Sequence, residues 1–124
     1  MSAAAQRLTL GRDRRIQCSR DFARLRQTGR RSTYGCLVAN WNLLPSESMS
    51  RLGVITSRRV GNAVVRSRAR RLLRESFRRH QLELTTPVEL VLVARSSIVG
   101  KSFAEVEREF LAVARKAGLL KAGA

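Results

Sequence analysis

Nine arginines stand between Arg58 and Arg79, opposed by one acid, Glu75. Apolar residues recur through the same stretch at helical spacing (Val65, Ala69, Leu72, Leu73, Phe77), so the cations lie on an ordered surface rather than a loose tail. Arg66, Arg70 and Arg74 are four apart and share one face, widened by Arg71 and Arg78 and extended by Arg68 and Arg79. Like charges at that spacing repel. A polyanion relieves the repulsion, and arginine's planar fork suits phosphate. Arg58 and Arg59 precede a Gly61-Asn62 turn, which sets them beside the amino end of the helix, where backbone N–H groups favour anions.

Groups for hydrolytic chemistry are scarce. His80 is the single histidine and, at the end of the arginine helix, reads as a surface residue rather than a general base. Glu105, Glu107 and Glu109 fall in the first turns of a capped helix, where they favour the helix dipole rather than a metal. Cys18 and Cys36 match no metal or redox spacing and read as packing residues. The expectation is a binding protein without its own active site, catalytic residue or metal site.

The 124 residues suit one compact domain, and a hydrophobic fraction of 44% excludes a disordered chain. The net charge is +16, with 22 Arg against 3 Lys. Nucleic acid fits this charge best. A membrane surface fits less well, because no basic amphipathic terminus is visible. Residues 1–17 lack the apolar core of a signal peptide, and no run approaches the roughly 18 apolar residues of a membrane span. The expected compartment is the cytoplasm.

These residues need elements to position them. Residues 1–17 read as a flexible basic arm, 18–120 as the domain and 121–124 as a tail. Ser19 looks like the N-cap of a helix over about 19–28, which Gly29 ends and which places Phe22 on its apolar side. Phe22 is open to two readings, core residue or stacking platform for a base. Ser32–Leu43 and Arg51–Ser57 are β-prone and look like an antiparallel hairpin, with Gly35 able to split the first strand. Asn62 can cap a helix from Ala63 to about Leu84. Val88–Ala94 is nearly all apolar, as a strand buried on both faces or at a sheet centre would be. Ser102 and Glu105 form a capping-box signature for a last helix, stopped by Gly118. The order is α, β, β (or three strands if split), α, β, α: an α+β sandwich with one small sheet.

The run Arg51-Leu52-Gly53-Val54-Ile55-Thr56-Ser57-Arg58-Arg59-Val60-Gly61-Asn62-Ala63-Val64-Val65-Arg66-Ser67-Arg68 resembles the signature of the bacterial ribonuclease P protein component. Arg74-Glu75, Asp21-Phe22 before Gly29, and Val91-Leu92-Val93-Ala94-Arg95 extend the resemblance from about Arg14 to Leu120. It implies an αβββαβα fold of the ribosomal protein S5 domain 2-like type, with a small mixed sheet and a left-handed βαβ crossover through the arginine helix. It also implies a protein subunit of ribonuclease P. The partners would be the ribonuclease P RNA, which carries catalysis with Mg2+ held mainly by RNA phosphates, and precursor tRNA, whose 5′ leader is removed. The protein would be monomeric, one per RNA, away from any membrane.

By the same resemblance, Arg58, Arg59, Asn62, Arg66, Ser67, Arg68, Arg70, Arg71 and Arg74 would face the catalytic RNA. Phe22, Arg26, Arg15 and Ser57 would form the leader-binding cleft. Two letters depart from the family pattern. Ser67 replaces the usual central Asn, and Arg26 stands where a second aromatic is common, making that contact cationic. Charge and size alone fit a small ribosomal or other structural RNA-binding protein equally well. A DNA-binding reading lacks helix-turn-helix spacing.

Overall fold

The computed structural model describes Arg15, Ile16 and residues 19–121. The rest of the basic arm, Cys18 and residues 122–124 lie outside them. The elements are α1 (Ser19–Thr28), β1 (Arg30–Tyr34), β2 (Leu37–Leu43), β3 (Arg51–Ile55), α2 (Ala63–His80), β4 (Val88–Ala94) and α3 (Phe103–Lys116), with short 3-10 turns over Arg58–Val60, Gln81–Glu83 and Ser96–Ile98. This is the expected αβββαβα order. Ser19 is the first helical residue of α1, so the cap position falls one residue earlier, outside the described residues. The regular α-helix of α2 ends at His80 instead of Leu84, and a 3-10 turn tightens its end.

The sheet order is β1-β2-β4-β3. The hairpin expected between the Ser32–Leu43 and Arg51–Ser57 segments does not form. Gly35 splits the first segment instead, and β1 pairs antiparallel with β2 from Arg30↔Trp41 to Tyr34↔Leu37. Gly35 takes φ +57° while Cys36 stays in the negative range, the pattern of a two-residue II′ hairpin turn. β4 then inserts between β2 and β3, antiparallel to the first and parallel to the second. The cause is hydrophobic: β4 is buried along nearly its whole length, which only a central position allows. Two neighbouring parallel strands need a crossover, and α2 supplies it.

Both faces of β4 are covered. On one face Leu90 and Leu92, with Leu37, Ala39 and Trp41 of β2, pack against Leu73 and Phe77 of α2 and Val106, Phe110 and Val113 of α3. On the other, Val91 meets Leu25 of α1 and Ile16, with Phe22, Ile55 and Val93 against them. The caps follow the sequence signals. Asn62 Oδ1 accepts from Val65 N at 3.0 Å, and Ser102 and Glu105 form a reciprocal capping box. Cys36 is fully buried, and burial first, then Glu109, pushes its thiol up to about 12, so it serves packing.

Two acids, Glu107 and Glu109, and the histidine act differently from expectation. Glu109 reaches back to accept from Cys36 N at 2.8 Å and pairs with Lys101 at 3.0 Å, tying α3 to the hairpin turn. His80 is not a surface residue: its Nδ1 lies 2.7 Å from Glu83 and its Nε2 2.8 Å from Glu107, with the ring tilted against Phe110. Both ring nitrogens donate only in the imidazolium form. Burial opposes that charge, but the hydrogen bonds to Glu107 and Glu83 outweigh it and hold the His80 pKa above its ordinary value. A raised folded pKa gives stability that is complete below roughly pH 6.5 and is lost as pH rises through the folded value. The melting temperature should therefore fall as pH rises above roughly 6.5, and Glu107→Gln should flatten that fall. Parallel curves for the two proteins would place the titration elsewhere.

Candidate nucleic-acid interface

The surface of α2 carries a concentration of positive charge. Leu73, Phe77 and Ala69 turn one side of the helix into the core, which leaves the arginines on the remaining arc. Among the described residues, Arg58, Arg59, Arg66, Arg71 and Arg74 make no ion pair and no side-chain hydrogen bond. Arg74 is half-buried, and burial first, then the neighbouring charges of Arg15 and Arg70, push its pKa down. That is the electrostatic mark of crowded cations. Glu75 ends the crowding: it accepts from Arg78 Nε at 2.8 Å and Arg79 Nε at 3.0 Å and is itself held down at about 2, chiefly by Arg78.

The other expected members of this surface have positioning roles. Arg70 donates to Thr56 Oγ1 at 2.8 Å and to Ser67 Oγ at 3.2 Å, so Ser67 orients an arginine from within the helix. Arg68 donates to the Lys101 carbonyl at 2.9 Å, which joins α2 to the turn before α3. Asn62 spends its side-chain oxygen on the cap. Arg58 and Arg59 sit on the 3-10 turn between β3 and α2, at the amino end of the helix.

A second surface lies on the opposite face of the sheet, beside α1. Phe22 and Leu25 seat the helix on the strands, and Arg24 fixes it by forking onto the buried Glu89 carboxylate at 2.5 and 3.0 Å. Phe22 is half-buried and presses its ring on Gly53 of β3. Past the end of this contact opens a groove of about 250 Å3, lined by Arg26, Arg31, Val38, Asn40, Ile55 and Val93. Of the residues expected in the cleft, Phe22 lies against Gly53 and Arg26 lines the groove.

Arg15 is not in that cleft. Its backbone bridges in parallel to Leu52 at the sheet edge, and with Ile16 turned to the α1 face its own side chain goes the other way. There it lines a larger groove, about 510 Å3, with Arg71, Leu72, Arg74, Glu75, Arg78 and Phe103. Ser57 is exposed at the turn after β3 and does not line the smaller groove. Arg31 and Asn40 were missed by sequence reasoning. The available signal was a single polar letter inside the apolar run Leu37-Val38-Ala39-Asn40-Trp41.

The two surfaces meet at the end of β3. Ile55 faces the groove, while Thr56, the next residue, faces α2 and anchors Arg70. No group of three or more His, Cys, Asp or Glu among the described residues is placed to hold a metal. No described helix is long and apolar enough to cross a membrane.

Fold and surfaces together define a small α+β protein with a cationic face. The family model for ribonuclease P matches residues 10–118. The ribonuclease P protein component of Syntrophomonas wolfei is 34% identical over 112 residues, covering 89% of this chain and 92% of that protein. The fold is shared with the solved RNase P proteins of Staphylococcus aureus (24% identity, TM-score 0.77, 87% of this chain and 98% of that one) and Thermotoga maritima (24%, 0.72, 82% and 96%). The chain belongs to the ribonuclease P protein component family, and so to the protein subunits of an endoribonuclease holoenzyme with an RNA partner.

Two outcomes follow from this geometry. A Cβ at Gly53 would lie 3.1 Å from Ile16 Cβ and closer still to the Phe22 ring, so Gly53→Ala should lift the ring from its seat. Thermal unfolding should register a loss of about 1–3 kcal/mol. Replacing both Arg66 and Arg71 by Ala should remove about two phosphate contacts, lowering the slope of log affinity for RNA against log salt by about 1.4–1.8. An unchanged slope would put both arginines outside the interface.

Proposed function

We propose that this protein binds the catalytic RNA of ribonuclease P along α2 and the turn before it, and the 5′ leader of precursor tRNA on the opposite face, across Phe22 and the groove beside α1. The observation that carries this reading is the pairing of two cationic surfaces, back to back through one sheet and joined at Ile55-Thr56. The arginines of α2 lie on a rigid convex ridge, which suits the phosphates of a folded RNA. The groove beside α1 is small and partly apolar, which suits an unpaired strand whose bases can reach its floor.

In this reading the RNA subunit carries the hydrolysis, with Mg2+ held mainly by RNA phosphates. The protein's own residues bind and orient. Arg58, Arg59, Arg66, Arg71 and Arg74 offset phosphate repulsion where the RNA packs, and Ser67 and Thr56 hold Arg70 for the same task. Phe22 and Arg26 keep the leader out of the way of the duplex end. One protein serves one RNA, in the cytoplasm. A purely structural ribosomal role, which charge alone would allow, is not favoured by the family match.

The test is processing of precursor tRNA by a bacterial ribonuclease P RNA at low Mg2+, with and without this protein. The protein should raise the rate and should tighten binding of leader-bearing precursor more than of mature tRNA. Absence of any stimulation would end the reading.

A further inference from the structure

A third groove, of about 540 Å3, lies where the outer edge of β1 meets the carboxyl end of α3. β1 and β3 are the two edges of the sheet, three strand spacings or about 14 Å apart. α2 packs towards β3, and α3 packs over β1, so this corner is separate from the arginine ridge. Trp41 lines the groove and is 4% exposed. A buried indole normally gives its N–H to a partner. The Trp41 N–H has none among the described residues. It is not sealed away either, since Ser32 Oγ is the only described side-chain polar atom that is both enclosed and without a partner. The indole N–H therefore opens into the groove that Trp41 lines.

The rest of the corner is rich in donors. The two-residue turn after Tyr34 makes Tyr34↔Leu37 a hydrogen-bonded pair, and alternation then turns the backbone groups of Arg31 and Thr33 away from β2, towards the open edge. Lys116 Nζ uses that exposure: it donates to Thr33 O at 3.2 Å and so brings an ammonium group to the edge. Arg30 is paired with Trp41 across the strands, on the same face of the sheet. It is exposed and has no ion pair among the described residues. No described carboxylate lines the groove. The carbonyls at the end of α3, which would repel an anion, are already taken: Val113, Ala114 and Arg115 accept from Ala117, Leu119 and Gly118.

We propose that this corner is a further RNA contact, which holds one backbone phosphate of the RNA partner between Trp41, Arg30, Lys116 and the edge of β1. A phosphate has only acceptors to offer, and the corner offers an indole N–H, two cations and two outward backbone N–H groups. None of these reads a base, so the contact adds affinity and orientation without sequence selection. Its place beyond α3 means that the segment bound here is not the one lying on α2. One folded RNA that reaches both would straddle α3 and fix the rotation of the protein about the axis of α2, which a single ridge leaves free. The proposal rests on the RNA partner of the family and not on the leader groove.

Trp41 is the only tryptophan, so its fluorescence reports on this corner alone. The full chain is titrated with inorganic phosphate at constant ionic strength, with far-ultraviolet circular dichroism followed in parallel. Trp41 emission should change saturably while the dichroism stays constant. The double variant Arg30→Gln with Lys116→Gln should lose the response and keep its melting temperature, because Arg30 is exposed and a glutamine can still donate to Thr33 O. Arg30→Gln alone should weaken phosphate roughly tenfold, the loss of one charge-assisted hydrogen bond. Replacing Arg66 and Arg71 by Ala should leave the response intact, which separates this corner from the ridge. In the second arm, affinity for a bacterial ribonuclease P RNA is measured across salt concentrations. The Arg30→Gln, Lys116→Gln variant should lower the slope of log affinity against log salt by about 0.7–0.9, one phosphate contact. An unchanged slope beside an intact phosphate response would overturn the proposal, leaving a site for free anions only. An emission that answers to a glutamate-rich peptide but not to phosphate would overturn it in favour of a protein partner. An emission that answers to neither would leave no site at this corner.

Discussion

β4 has almost no face to give to water, and the rest of the architecture answers to that. Its residues are buried on both sides, so the strand occupies an inner position, β3 is displaced to its far side, and helices cover the sheet above and below. α2 becomes the crossover that this arrangement requires. Once Leu73 and Phe77 have turned inward, the helix has no other place for its arginines than the outer arc. The long cationic ridge is thus a by-product of the way an apolar strand is buried, and the shallow groove on the reverse side exists because the ten-residue α1 is too short to cover that face alone.

The acids are distributed in a complementary way. Asp21 and Glu89 hold α1 through Arg24, Glu83 and Glu107 hold His80, Glu109 joins α3 to the hairpin turn, Glu105 caps α3, and Glu75 neutralises the carboxyl end of the arginine run. Glu89, Glu107 and Glu109 each sit at a joint between elements. Several of the cations left over lie on α2, on the turn before it, and on the groove rim. A protein whose negative charge is committed to its own assembly keeps a positive field for its partner.

Much of this was legible in the sequence. The helical spacing of Val65, Ala69, Leu73 and Phe77 placed the arginines on one ordered face, and Asn62, Ser102 and Glu105 marked helix starts that the structure reproduces. The uniform apolarity of Val88–Ala94 pointed to a central strand. What stayed hidden depends on partners distant in the chain. Gly35 was legible as a break, but its use as a hairpin turn, and the consequent separation of β2 from β3, follows only when β4 is inserted. His80 read as a surface residue because Glu107 is 27 positions away. Arg15 was assigned to the wrong side because strand alternation at the sheet edge, fixed by its bridge to Leu52, cannot be seen before the register is known. The resemblance named candidate residues, but not which of them touch.

Ile55 and Thr56 are neighbours in sequence and face opposite sides of the sheet, one as a wall of the groove, the other as the anchor of Arg70. This couples the evolutionary freedom of the two surfaces. Inserting or deleting one residue in β3 would exchange the two side chains, setting a hydroxyl in the groove wall and an alkyl group beneath the guanidinium. Both surfaces would be altered by a single event. Point substitutions can adjust either surface by itself, but the spacing between them is protected from gradual drift, and the length of β3 should be the least negotiable dimension of the molecule.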